Sequence, residues 1–167
     1  MCGLNYVCEV IMVKKIILWI AVIALSLIIF DFSAKPAAES AGISSQIAEK
    51  AVEFIEKVVN IDNSQREGVM YTTHLLIRKG AHFFEFALLS VLVFFLAKSY
   101  KLSKKISIII ALGYCLAFAA SDEFHQLFVS GRSGQISDVL LDFCGALFGA
   151  LVCYLIVKIR KKEKNKA

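Results

Sequence analysis

Four long apolar runs, separated by polar stretches, govern what this chain can become. Residues 16–30 carry no charge and follow Lys14 and Lys15. Residues 81–97 are interrupted only by His82 and Glu85. Residues 106–121 are uncharged, and residues 139–157 are broken only by Asp142. A membrane-crossing helix needs about 20 mostly apolar residues, and with their flanks all four runs qualify. Lipid offers the backbone no hydrogen-bond partner, so runs of this kind close their bonds internally as helices. The composition agrees: 58% of residues are hydrophobic, against about 45–50% in a soluble domain. The expected fold is all-α. It is a four-helix transmembrane bundle over 16–157, with helices at about 16–32, 80–97, 106–123 and 138–157. An external segment, 33–78, and a basic tail, 158–167, complete it.

The net charge of +5 suits either nucleic acid or a membrane surface, and its distribution separates the two. The segments 1–15, 98–105 and 158–167 hold twelve of the nineteen basic residues and only Glu9 and Glu163 as acids. Loops rich in lysine and arginine stay on the cytoplasmic side. Both termini are therefore expected in the cytoplasm and the chain in a bacterial inner membrane, with the bilayer as its first partner. The basic residues form collars around apolar runs, without interleaved aromatics or a glycine loop, so no nucleic-acid partner is expected. The first run lacks a clean small-x-small cleavage site and reads as a retained helix rather than a signal peptide. Met12-Val13-Lys14-Lys15 reads as a more natural start than Met1, whose segment carries Cys2 and Cys8.

Within 33–78, Ile43, Ile47, Ala51, Phe54 and Val58 recur at helical spacing, with Glu49, Lys50, Glu53, Glu56 and Lys57 on other faces. This predicts an amphipathic helix whose apolar stripe meets the outer leaflet or the outer ends of the bundle. Asp62-Asn63-Ser64 and Gly68 are expected to end it in a loop.

The embedded polar residues gather at one depth. The second run enters from outside with Lys79, His82 and Glu85 at i, i+3, i+6, preceded by Arg78. The third leaves with Asp122, Glu123, His125 and Gln126. The fourth begins with Asp138 and Asp142, after Arg132 in a glycine-flanked turn. Ionisable groups inside a bilayer are costly, so they are paired and usually functional. Glu123 or Asp122 is placed to act as a general base with His82 as proton shuttle. Lys79, Glu85, Gln126, Arg132, Asp138 and Asp142 would contact a substrate, the cations suiting a phosphate. Ser133 and Ser137 are nucleophile candidates by position alone. A metal set of His82, Glu85, His125 and Glu123 has the right donor types but no His-Glu-x-x-His motif, so none is assigned. The competing account is a non-catalytic interhelical salt-bridge network. Cys115, Cys144 and Cys153 read as small hydrophobes. Gly145 and Gly149 form a G-x-x-x-G that serves close packing within the bundle or joins two copies.

These motifs resemble a known family. KGAHFFEFALL at 79–89, SDEFHQ at 121–126 and GRSGQISDVLLDFCG at 131–145 are similar to the motifs of VanZ-like proteins, and FDFSAKP at 30–36 resembles their segment after the first helix. The family often has Asn at the position of Asp142 and Tyr near Phe86. The resemblance implies a bacterial inner-membrane protein facing the cell wall. Its founding member is associated with resistance to the glycopeptide teicoplanin. A lipid-linked cell-wall precursor or a glycopeptide is the partner so implied; cofactor and reaction are left open.

Overall fold

The computed structural model describes residues 2–35, 37–58 and 62–164. They form five helices: α1 (Cys2–Ala34), α2 (Ala37–Val58), α3 (Asn63–Ser99), α4 (Lys104–Gln126) and α5 (Ile136–Lys164). Parts of α1, α3, α4 and α5 are long and apolar enough to cross a membrane: Glu9–Ala34, Gln65–Ser99, Lys104–Gln126 and Ile136–Glu163. The fold is the expected all-α bundle of four such helices, with α2 as an additional helix outside the four spans.

Small side chains let the helices approach. The buried face of α4 runs Ser107, Ala111, Cys115, Ala119, Asp122, Glu123, Gln126. Steps of four and three keep these on one stripe, so the groove that seats Phe86, Leu89, Val93 and Phe94 of α3 leads directly into the polar site. The most extensive contact is α3 against α5. Gly145 and Gly149 sit there, where an added Cβ would collide with the carbonyl oxygens of Phe83 and Ala87. Of the two uses open in the sequence, packing within the chain is the one seen. The surface suggested for joining two copies is filled by α3. Large apolar side chains such as Ile20, Leu27, Ile109 and Leu151 point outward, as they do where the solvent is lipid. Cys115 and Cys153 are buried in the packed faces, and Cys144 is exposed.

Three local expectations are corrected. Asp62-Asn63-Ser64 does not open a long loop. The Asp62 carbonyl accepts from the Gln65 and Arg66 amides at 2.8 and 3.2 Å, so this turn starts α3, which runs unbroken through Gly68 and His74 into the membrane segment. No proline intervenes to stop it, and the Thr72 hydroxyl donates to the Gly68 carbonyl at 2.8 Å. Second, the apolar stripe expected on α2 is not its packed face. Ile47 and Phe54 are 54% and 68% exposed, whereas Ala48 and Val52 are fully buried. Third, α2 packs on α3 rather than across the bundle end, and there the smaller side chains allow the closer approach. The side chains of Ile43 and Val58 lie outside the described residues, as do Pro36 and Lys166. An Arg66–Glu56 ion pair at 2.7 Å joins the two helices.

Candidate functional site

The site forms where the C-terminal ends of α1 and α4 meet the N-terminal end of α5 and the middle of α3. The α4–α5 connection shapes it. The Arg132 amide donates to the Val129 carbonyl at 3.1 Å, closing a turn whose third residue, Gly131, has φ 74°. A positive φ there is what glycine supplies without steric cost. Gly134 then lies so close to α4 that a Cβ would clash with the Glu123 carbonyl. That approach lets the Gln135 amide donate to Glu123 Oε2 at 2.9 Å.

A buried hydrogen-bond network spans three elements from this point. Gln126 Nε2 donates to Ser33 Oγ at 2.6 Å, and lies 3.2 Å from both Asp122 Oδ2 and Glu123 Oε1. Ser33 donates to Asp122 Oδ2 at 2.7 Å. Asp122 is 1% exposed and Ser33 fully buried. The network ties α1 to α4, and through Glu123 to the start of α5. Arg132 adds a clamp: Nε donates to the Lys35 carbonyl at 3.2 Å and Nη2 to the Phe32 carbonyl at 3.3 Å. These carbonyls at the end of α1 have no partner within the helix, and a cation there opposes the negative end of the helix dipole. Burial first, and then the nearby Arg78 charge, lowers the Arg132 guanidinium from its ordinary value.

Beside the network lies a pocket lined by Arg78, Lys79, His82, Glu123, Gln126, Arg132, Asp138, Leu141 and Asp142. Lys79 Nζ reaches Asp138 Oδ1 at 3.0 Å, and Asp138, in the first turn of α5, also suits the positive end of that helix. The cavity is about 10 Å³, room for about one water. His82 Nδ1 stands 3.9 Å from Glu85 Oε2, beyond hydrogen-bond reach. His82 Nδ1, Asp142 Oδ1 and Asp122 Oδ1 are buried without a hydrogen-bond partner.

Eight of the residues singled out in the sequence thus share one pocket: Arg78, Lys79, His82, Glu123, Gln126, Arg132, Asp138 and Asp142. Glu85 and Asp122 are not among its lining residues. His125 turns against Phe30, with ring centroids 4.5 Å apart. Among the described residues no three His, Cys, Asp or Glu side chains converge as a metal-ligand group. Ser133 and Ser137 are exposed and bond to the Gln135 side chain. Sequence reasoning gave Ser33 no role. Its local signal is a small polar residue just past the first apolar run, between Asp31 and Lys35.

Comparison with curated proteins and with solved structures gave no match. The model of the VanZ/LLP1 family matches residues 18–157, a span that takes in the second and third membrane-spanning helices whole, most of the first and fourth, and every residue of the pocket. The chain is a multi-pass membrane protein and belongs to the VanZ/LLP1 family.

Proposed function

We propose that this protein lies in the bacterial cytoplasmic membrane with both termini inside, and that its pocket engages the phosphate-bearing head group of a lipid-linked cell-envelope component at the outer face. The observation that carries this reading is the convergence of Arg78, Lys79 and Arg132 in one pocket, at the end of the bundle opposite the lysine-rich collars. Arginine and lysine are the side chains suited to phosphate. The small cavity means that a head group meets the mouth of the pocket rather than its interior. Holding a wall precursor there would alter what a teicoplanin-type glycopeptide encounters, which is how the reading extends to resistance. His82, with a free ring nitrogen, is the group placed to carry a proton if the bound component is also modified.

Charge separation across the membrane supports the orientation. Ser133→Cys is expected to gain labelling by a membrane-impermeant thiol reagent on whole cells over the parent chain, and Ser103→Cys is not. The reverse pattern would place the pocket inside and remove this reading.

A second reading has its own support. The Ser33–Asp122–Gln126–Glu123–Gln135 network links α1, α4 and the start of α5 through side-chain and main-chain hydrogen bonds, as a structural tie would. The paired replacement Lys79→Gln with Asp138→Asn separates the two. It removes one exposed-side charge pair while keeping polar shape. A polyprenyl diphosphate titrated onto the full chain in nanodiscs is expected to bind at least about tenfold more weakly to the double variant. Unchanged binding by a folded variant, or no binding by the parent, would leave the structural reading standing.

A further inference from the structure

A second cavity lies at the other end of the bundle and shares no residue with the polar site. It is a groove of about 200 Å³ between α1 and α4, floored by α3. It exists because α1 packs mainly on α3 and only lightly on α4. Its floor, Val93, Leu96 and Ala97, and Val22 on the α1 wall are buried, whereas Trp19, Tyr100, Ile110 and Tyr114 are part exposed along its walls. Hydrogen bonds cross it at two depths. Ser26 and Tyr114 meet at 3.0 Å toward the membrane centre, and Trp19 Nε1 donates to Tyr100 Oη at 3.0 Å toward the surface.

The surface end is basic. Lys15 Nζ stands 4.4 Å from the centroid of the Tyr100 ring. Lys14 precedes it, and the α3–α4 connection and the start of α4 add Lys101, Lys104 and Lys105 with no acid between 98 and 105. Two of the neighbouring lysines are directed elsewhere: Lys98 donates to the Leu102 carbonyl at 2.7 Å, and Lys104 lies over the ring of Tyr154, which does not line the groove, at 3.9 Å. Lys15 stands at the mouth of the groove.

We infer that this groove is a binding site for one anionic phospholipid, its acyl chain along the α3 floor and its phosphate against Lys15. Three features point to that occupant. Apolar walls inside a membrane segment find their partner atoms in lipid tails, and an empty groove forfeits those contacts. The groove's volume of about 200 Å³ is less than the roughly 400 Å³ that a single turn of a helix about 10 Å across would fill. Tryptophan and tyrosine beside a lysine mark head-group depth, and a lysine there attracts anionic head groups. The lipid would hold α1 against α4 where the protein itself supplies little contact.

The test uses the full chain released from nanodiscs made of equal phosphatidylglycerol and phosphatidylcholine, read by native mass spectrometry. The parent is expected to retain phosphatidylglycerol preferentially. Lys15→Gln, a change at the surface end, is expected to cut that preference about fivefold. Ile110→Trp, on the exposed wall, is expected to reduce retention of both lipids by blocking the groove. A parent without preference, an unchanged preference in Lys15→Gln, or unchanged retention in Ile110→Trp would each overturn the proposal. So would a two-copy mass that Ile110→Trp breaks, since a second chain would then fill the groove.

Discussion

Gly149→Leu is expected to prevent stable folding of the bundle, and Gly145→Leu to do the same. At each position even a Cβ would strike a main-chain carbonyl of α3, at Phe83 or Ala87. A flexible side chain could yield; a helix backbone packed along the most extensive interface in the molecule cannot move alone. Overpacking a tight core costs about 1–3 kcal/mol, and more where backbone must shift, so leucine here is expected at or beyond the top of that range. Gly80→Ala and Gly113→Ala are the controls, because nothing stands within 4 Å of a Cβ at either. Removing a helix glycine from open space is expected to be neutral or to stabilise by up to about 1 kcal/mol. Thermal unfolding in detergent micelles would compare the four. A folded Gly149→Leu chain with the parent's midpoint would mean that α3 and α5 are not in the contact described.

What the sequence could reveal follows from the range of the forces involved. Bilayer insertion depends on local composition, so the four spanning helices were legible as runs. The α4 stripe was also legible in part, since Asp122 and Gln126 fall on the same spacing as the small residues before them. The face of α2 was not. Its stripe of larger side chains, Ile47 and Phe54, carried the stronger periodic signal, but the smaller Ala48 and Val52 make the contact. Which face wins depends on the shape of α3, which no window of α2 contains. The start of α3 was misread for a related reason: Asp62-Asn63-Ser64 serves equally to end one helix or to begin another. Ser33 meets Gln126 across 93 positions, and a pairing of that length leaves no local mark. The site's residues were therefore identifiable as types, while their division between a tie and a pocket was not.

That division decides the second large effect. From sequence alone, Glu123→Gln looks like a change that keeps shape and removes charge. In the structure both oxygens of Glu123 accept, one from Gln126 Nε2 at 3.2 Å and one from the Gln135 amide at 2.9 Å. A glutamine has one oxygen, so its own amide nitrogen must face one of these donors. Rotating the Gln126 amide would relieve that conflict only by taking its donor from Ser33 and Asp122. The variant is therefore expected to lose about 2 kcal/mol, within the range for orphaning a buried donor, and to loosen the α4–α5 turn with it. Asp142→Asn is the contrasting case. Asp142 is 1% exposed and its Oδ1 has no hydrogen-bond partner, so exchanging the carboxyl for an amide keeps its shape without opposing two donors. It is expected to leave stability unchanged or improved. Thermal midpoints of the two variants, measured side by side in the same micelles, test the point. If Glu123→Gln matches the parent while Asp142→Asn falls, Glu123 is not the residue that fixes the α4–α5 turn, and its carboxylate is free to serve the pocket instead.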